Sequence, residues 1–340
     1  MRTENAIIIA AALATVAGCA APGGSNTAGG KRSLLTVDFE QGRTTRYRFI
    51  SDRKITLDWD PGAKAAAGSV MEQSERLETV VAYTPGEVDP YGISVIRAKI
   101  ESVAATRSGG AGRRNPAGDA VETARGKSFT LKVDPRGRIV DHSELESLIQ
   151  EMGKSAFRTD GSRGRIKEPD MIGDFVAALW FLWDAVSTVE DPAGGVAAGQ
   201  TWRSKLPVPT PMVMRKARDV TYRLDEIRQT DAGRIAVIDS TYALAPAAPT
   251  DWPIPYSGRF QMSGTFGFLI SYEVSRVEGS GQEQFNIDAG RVESRTEKYT
   301  VEMTASLPPM GIRANPHIRI DQTLTVELMD SEAQNPKPES

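Results

Sequence analysis

Reactive side chains are scarce in this chain. Histidine occurs only at His142 and His317, and the single cysteine is Cys19. An internal disulfide and a multi-cysteine metal site are therefore excluded. His142 with Asp141 and Glu144 lacks the spacing of a metal site, and there is no G-x-S-x-G, HExxH or Walker loop. No catalytic residue stands out, and no metal or cofactor is expected. Carboxylates are plentiful, with 44 Asp and Glu; two suitably placed acids suffice for glycoside hydrolysis, but nothing selects a pair. The aromatic residues Trp180, Trp183, Trp202, Trp252 and Tyr256 have the chemistry to line a sugar or lipid cleft, although large aromatics equally serve cores. Trp180 and Trp183 share one apolar segment with Phe175, and these three are the ligand-lining candidates.

The elements that must position such residues are mostly strands. Tyr299, Val301, Met303, Ala305 and Leu307 alternate with polar residues, as a half-buried strand does. Ile318, Ile320, Gln322, Leu324, Val326 and Leu328 repeat the pattern, and Phe268, Ile270, Tyr272 and Val274 make a third stripe. Two segments read as helices. The shorter opens with a capping box, Ser143 and Glu146, before Leu145, Leu148, Ile149 and Met152, with Gly153 as a stop. The longer runs from Pro169 to Val189 and carries Ile172, Phe175, Val176, Leu179, Trp180, Trp183 and Val186. Asp174 and Asp184 argue against a membrane span, since each would cost about 2.5 to 3.5 kcal/mol near a bilayer centre. The segment reads instead as a helix buried against a sheet.

Three blocks recur in the same order. Tyr47-Arg48-Phe49 returns as Tyr222-Arg223-Leu224. Ile93-Ser94-Val95-Ile96, with Ala98 and Ile100, returns as Ile235-Ala236-Val237-Ile238, with Ser240 and Tyr242. Both copies break alternation where two apolar residues stand adjacent, the mark of a bulge or a doubly buried strand. Phe129 to Ile139 returns, three residues shorter, as Phe285 to Val292, each copy with Asp and Gly at a chain reversal (Asp134 and Gly137, Asp288 and Gly290). The expected fold is thus β-rich α+β: antiparallel sheets from a duplicated β-meander, with one long buried helix and one short helix.

The N-terminus reads as a targeting segment: Arg2, an apolar run from Ala6 to Ala17, then small residues. The run ends in Val16-Ala17-Gly18-Cys19, which resembles the lipobox of bacterial envelope lipoproteins. That resemblance implies cleavage between Gly18 and Cys19, lipid such as palmitate on Cys19, and residence in the cell envelope. Ala20 after the cysteine points to the outer rather than the inner membrane where there are two. Two or more acyl chains, at about 0.8 kcal/mol per buried methylene, hold a protein stably on a bilayer.

The organisation that follows is a signal peptide (1–18), a flexible Gly-rich tether (19–33), a first β-rich half with the helices (34–190), a second β-rich half (191–330) and a disordered tail (331–340). The Gly/Arg-rich stretches Ala104 to Gly126 and Lys154 to Lys167 read as exposed loops. A formal net charge of -3 and the lack of interleaved basic and aromatic residues exclude a nucleic-acid partner. A membrane-tethered binding or structural role leads. A carrier of lipid or another hydrophobic ligand follows, by resemblance to envelope lipoproteins whose curved sheet and covering helix enclose an apolar cavity. A carbohydrate-active enzyme is the third reading. The partners implied are the membrane through Cys19, other envelope proteins, or a hydrophobic ligand.

Overall fold

Half-buried strands require one dry face and one wet face, and this chain supplies both from a single large sheet. The computed structural model describes residues 32–61, 70–109, 118–158, 165–166, 171–208, 216–252, 261–262, 270–306 and 315–329. The expectations for Gly18, Cys19, Tyr256 and the tail fall outside the described residues. The strands are β1 (Thr45–Asp58), β2 (Val70–Val88), β3 (Ser94–Gly109), β4 (Ser128–Val133), β5 (Ile139–Asp141), β6 (Phe157–Arg158), β7 (Arg165–Ile166), β8 (Thr201–Pro207), β9 (Ala217–Thr230), β10 (Gly233–Leu244), β11 (Gln261–Met262), β12 (Ile270–Asn286), β13 (Arg291–Ser306) and β14 (His317–Met329). Eleven of them form one sheet in the order β5-β4-β3-β2-β1-β14-β13-β12-β10-β9-β8, while β6, β7 and β11 make a small second sheet. The β-rich α+β class read from the periodicity is the one adopted.

The large sheet is two antiparallel meanders joined at its centre, where β1 pairs with β14 and Phe49 lies opposite Val326. Its faces differ as period two demands. On β1 the inward set is Tyr47, Phe49, Ser51, Arg53, Ile55 and Leu57, all buried. The outward set is charged and paired, across strands for Arg48 with Glu327 at 2.5 Å and Arg76 with Asp52 at 2.5 Å, and along β14 for Arg319 with Asp321 at 2.7 Å. Each pair is 40% or more exposed and adds little stability, so its main effect is to keep that face wet.

The repeat is visible in the topology. β3, β4 and β5 follow one another across the first meander as β10, β12 and β13 do across the second. The predicted breaks in alternation are ladder irregularities: the register shifts between Val237 and Ile238, and Pro85 to Val88 of β2 span one residue more than Ser94 to Ile96 opposite. Tyr47 and Tyr222 are not equivalent, since β1 lies two strands from β3 whereas β9 adjoins β10.

The helices differ from expectation in detail. α1 (Ser143–Ser155) buries Leu145, Leu148, Ile149 and Met152, the predicted face. Its expected capping box is not made: the Ser143 hydroxyl donates to Asp141, and a capping box forms instead between Asp119 and Glu122 on the 3-10 turn Ala120–Ala124. The long helix is split into α2 (Ile172–Trp180) and α3 (Asp184–Ser187). The cause is competition for carbonyls. Phe181 O accepts from Arg295 at 2.7 Å, so a strand side chain binds the backbone at the break, while Ala185 O within α3 accepts from the Trp202 indole at 2.8 Å.

Candidate functional site

Charged and hydroxylic residues occupy inward positions along one row of the sheet, where alternation alone would place apolar ones. From β3 towards β8 the row reads Arg107, Glu75, Arg53, Gln322, Tyr299 with Glu297, Gly279 with Gly281, Tyr242 with Ser240, and Tyr222 with Ser204. α2 and α3 lie over this polar belt and are tied to it by their two aspartates. Asp174 accepts from Ser51 at 2.6 Å, Arg53 at 2.6 Å and Gln322 at 2.7 Å. Asp184 accepts from Ser204 at 3.0 Å and Tyr222 at 2.7 Å. The residues that rule out a membrane span are thus the bolts of a helical strap.

The two ends of the belt have different electrostatics. Around Arg53, burial would raise the Glu75 carboxyl, but the guanidinium groups of Arg53 and Arg107 overcome it and hold the group below its ordinary range. Around Arg218, Glu297 is likewise held low by Arg218 and Arg295 against its desolvation. Glu283 is different. Burial pushes it up to about 8, because Arg295 stands 3.8 Å away and no hydrogen bond reaches either oxygen. Asp184 is raised to about 6, also by burial, against the pull of its Tyr222 and Ser204 bonds. Values near neutrality suit acid–base work. Neither carboxyl lines a cavity among the described residues.

Two glycines make the belt possible. A Cβ on Gly279 would sit 2.6 Å from the Tyr299 Cβ, and one on Gly281 would meet the Tyr242 hydroxyl. The tyrosine rings cover the bare backbone and meet edge to face at 6.1 Å, with the Arg218 guanidinium 4.3 Å and 4.1 Å from their centres.

A partly open cavity lies at the other end of the sheet's inner face. Ser33 to Glu40 crosses there, held by both repeated turns: Val37 N–H donates to Pro135 O and Asp38 N–H to Gly290 O, each at 2.9 Å. Gly137 (φ 83°) permits this approach, since a Cβ would lie 2.7 Å from that of Trp183. Between this crossing and the sheet is a cavity of about 290 Å³. Phe39, Tyr47, Tyr83 and Trp183 are among its lining residues, the last three 3% exposed or less, and Asp38, Glu40, Arg43, Asp288 and Arg291 also line it. The rings stand nearly upright to one another: Phe39 to Trp183 at 87°, Tyr47 to Tyr83 at 70°, Tyr83 to Trp183 at 65°. Tyr47 donates its hydroxyl to Val292 O at 3.0 Å, whereas the buried Tyr83 hydroxyl has no partner.

No protein-family model matches the chain. No curated protein matches it either. Among solved structures it is similar to one concerned with lipid–protein interactions in lipovitellin, at 10% identity and a TM-score of 0.43. That likeness covers 86% of this chain, which spans only 26% of the lipovitellin chain. An outer membrane channel from Pseudomonas putida F1 is similar at 8% identity and a TM-score of 0.17, over 86% of this chain and 97% of the channel. Neither likeness is close enough to establish a shared fold.

Of the three ligand-lining candidates, Trp183 lines the cavity. Phe175 is fully buried in the core. Trp180 packs on the His142 ring at 4.1 Å. The three do not converge on one cleft. Trp202 bonds the strap and Trp252 packs against Phe181, so both serve packing. Asp141 binds Ser143 and Lys132, and Glu144 accepts from Thr130 N–H, so neither turns to His142. Among the described residues no group of three or more His, Cys, Asp or Glu could hold a metal ion. Arg107, expected on a solvated loop, instead bonds Glu75 and Asp119 in the belt.

Proposed function

We propose that this protein is a lipid-anchored envelope protein with a non-catalytic binding role, its ligand seated in the aromatic cavity. The observation that carries the reading is a cavity of about 290 Å³ whose lining includes Phe39, Tyr47, Tyr83 and Trp183. That is the low end of small-molecule sites, which combine apolar walls with a few polar groups. The lipobox at Val16 to Cys19 supports the anchor. The buried carboxylates support the non-catalytic part, because those held ionised are committed to arginines. Saturation-transfer NMR against a small-molecule library, on Cys19→Ser protein, should yield binders that shift the Trp183 and Tyr83 resonances. Their complete absence would remove the reading. Radioactive palmitate should label the native chain and not the Cys19→Ser variant.

A second reading, a carrier of a hydrophobic ligand, is favoured by a separate observation. Beyond the belt the inner face is apolar across four strands, with Leu57, Ile320, Val301 and Val277 buried there. At its border Arg218 Nε and Nη1 and the Tyr299 hydroxyl are buried with no hydrogen-bond partner. Native mass spectrometry of the purified protein should then show stoichiometric lipid; lipid-free protein from several preparations would discard this reading.

A further inference from the structure

We infer that Arg295 is a latch shared between the helical strap and the sheet: it holds the Phe181 carbonyl while Glu283 keeps its proton and leaves it when Glu283 ionises, which frees the strap at α3. The placement of one guanidinium carries this. Its Nη1 lies 2.7 Å from Phe181 O and 3.8 Å from Glu283 Oε2, while its Nε lies 3.6 Å from Glu297 Oε1. Arg295 and Glu283 are direct partners on β13 and β12, only 6% and 2% exposed. A charge-assisted N–H···O bond is about 2.7–2.9 Å long, so the guanidinium has roughly 1 Å to travel from one acceptor to the other.

Charge decides which acceptor it takes. A carboxylate outbids a backbone carbonyl, because a bond between two ionised groups is roughly twice as strong as a neutral one. Neither Glu283 oxygen has a hydrogen bond. A buried carboxylate in that condition is costly, so ionisation must bring a donor to it, and Arg295 is the cation at hand. The other charged groups around Glu283 push the same way. Asp184 on α3 and Glu297 on β13 both disfavour its charge, so an ionised Glu283 repels Asp184 and the strap with it. Glu297 is bonded by Arg218 of β9, and Asp184 by Tyr222 of β9 and Ser204 of β8. On β10 the partner of Glu283 is the uncharged Ile238. After release, Phe181 O keeps only the Asp184 N–H at 3.3 Å, whereas Asp174 still fastens α2 through Ser51, Arg53 and Gln322. Trp183 lies between Phe181 and Asp184, so the movement reaches the lining of the cavity. Burial pushes Glu283 up to about 8, which closes the latch below that pH and opens it above.

The test is fluorine NMR of Cys19→Ser protein carrying 5-fluorotryptophan, titrated from about pH 7 to pH 9.5, above the range in which Asp184 titrates. Trp202 reports the strap through its indole bond to Ala185 O of α3, and Trp202→Phe assigns its signal. That signal should move with a midpoint near pH 8 and stay still in Glu283→Gln, which mimics the protonated carboxyl. Chymotrypsin cleavage at Phe181 to Trp183 should rise severalfold more over the same range in the Cys19→Ser protein than after the added Glu283→Gln change at equal pH. A Trp202 signal that does not move overturns the latch, and one that moves equally in both proteins assigns the titration to another group and overturns it too. Carboxyl-carbon NMR of the Cys19→Ser protein follows Glu283 without any change to it; ionisation there with Trp202 unmoved also overturns the latch.

Discussion

The belt is better satisfied at one end than at the other: around Arg53 only Gln322 Oε1 and Arg53 Nη2, the latter in an ion pair with Glu75, lack a hydrogen bond among the described residues. Around Arg53, all six carboxylate oxygens of Glu75, Asp119 and Asp174 are bonded: Glu75 by Gln73, Arg107 and Arg53, Asp119 by Val121 N–H, Met171 N–H and Arg107, Asp174 by Ser51, Gln322 and Arg53. Around Arg218, two guanidinium nitrogens, the Tyr299 hydroxyl and both Glu283 oxygens have no hydrogen bond. A buried network stabilises only when its members are satisfied. The first end therefore locks strap to sheet, and the second carries an electrostatic load that the fold relieves by keeping a proton on Glu283.

Substitutions can break that contrast. The largest effect is expected from Arg53→Met, which leaves Asp174 buried without a cation and Glu75 with Arg107 alone, and should cost about 3–5 kcal/mol in urea unfolding. Arg218→Met should cost distinctly less, roughly 1–3 kcal/mol, because Arg295 still faces Glu297 at 3.6 Å. Equal losses would mean that the two ends are equally built.

Next in size is Glu283→Gln. In the folded protein Glu283 keeps its proton to about pH 8, and in the unfolded chain it loses it near its ordinary 4.5. Between those values the folded state binds more protons, so this group's contribution falls as pH rises. The glutamine variant should match the native protein near pH 5 and exceed it by roughly 2–4 kcal/mol at pH 9. A variant less stable at pH 9 would show that Glu283 is a working partner of Arg295.

Gly281→Ala should cost about 1–3 kcal/mol by forcing Tyr242 and Ser240 away from the backbone. The smallest effect belongs to Ser204→Ala, about 1 kcal/mol, since Tyr222 still holds Asp184. A loss as large as that of Arg53→Met would place the strap's main fastening at the second end.

The strands and the faces of α1 were legible because period two and period 3.6 are local properties of the chain. Parts of the belt were written there too: Gln322 stands in the stripe Ile318, Ile320, Leu324, Val326, and Arg53 stands between Phe49 and Ile55 in the same phase. A charge in the buried phase of a strand is a readable signal. Its partner is not, because Asp174 lies 121 residues from Arg53 and only the sheet brings them together. The break between α2 and α3 was hidden for the same reason, since the group that binds its backbone is Arg295 on a distant strand. Phe39 and Asp38 went unremarked because the segment that carries them is neither helix nor strand; two hairpin turns from opposite halves position it.

The pairing of β1 with β14 also governs how the molecule can be made. Apart from it, neighbours in the large sheet are consecutive in its chain order, so each meander can assemble as it is synthesised. The central seam cannot, because β1 must wait until residue 317 has emerged before it meets its second neighbour. Until then the growing chain exposes an unpaired edge carrying Phe49 and Ile55, the kind of surface that invites wrong partners. Loss of β14 would therefore open the sheet down its middle instead of trimming its rim, leaving β1 held by β2 alone.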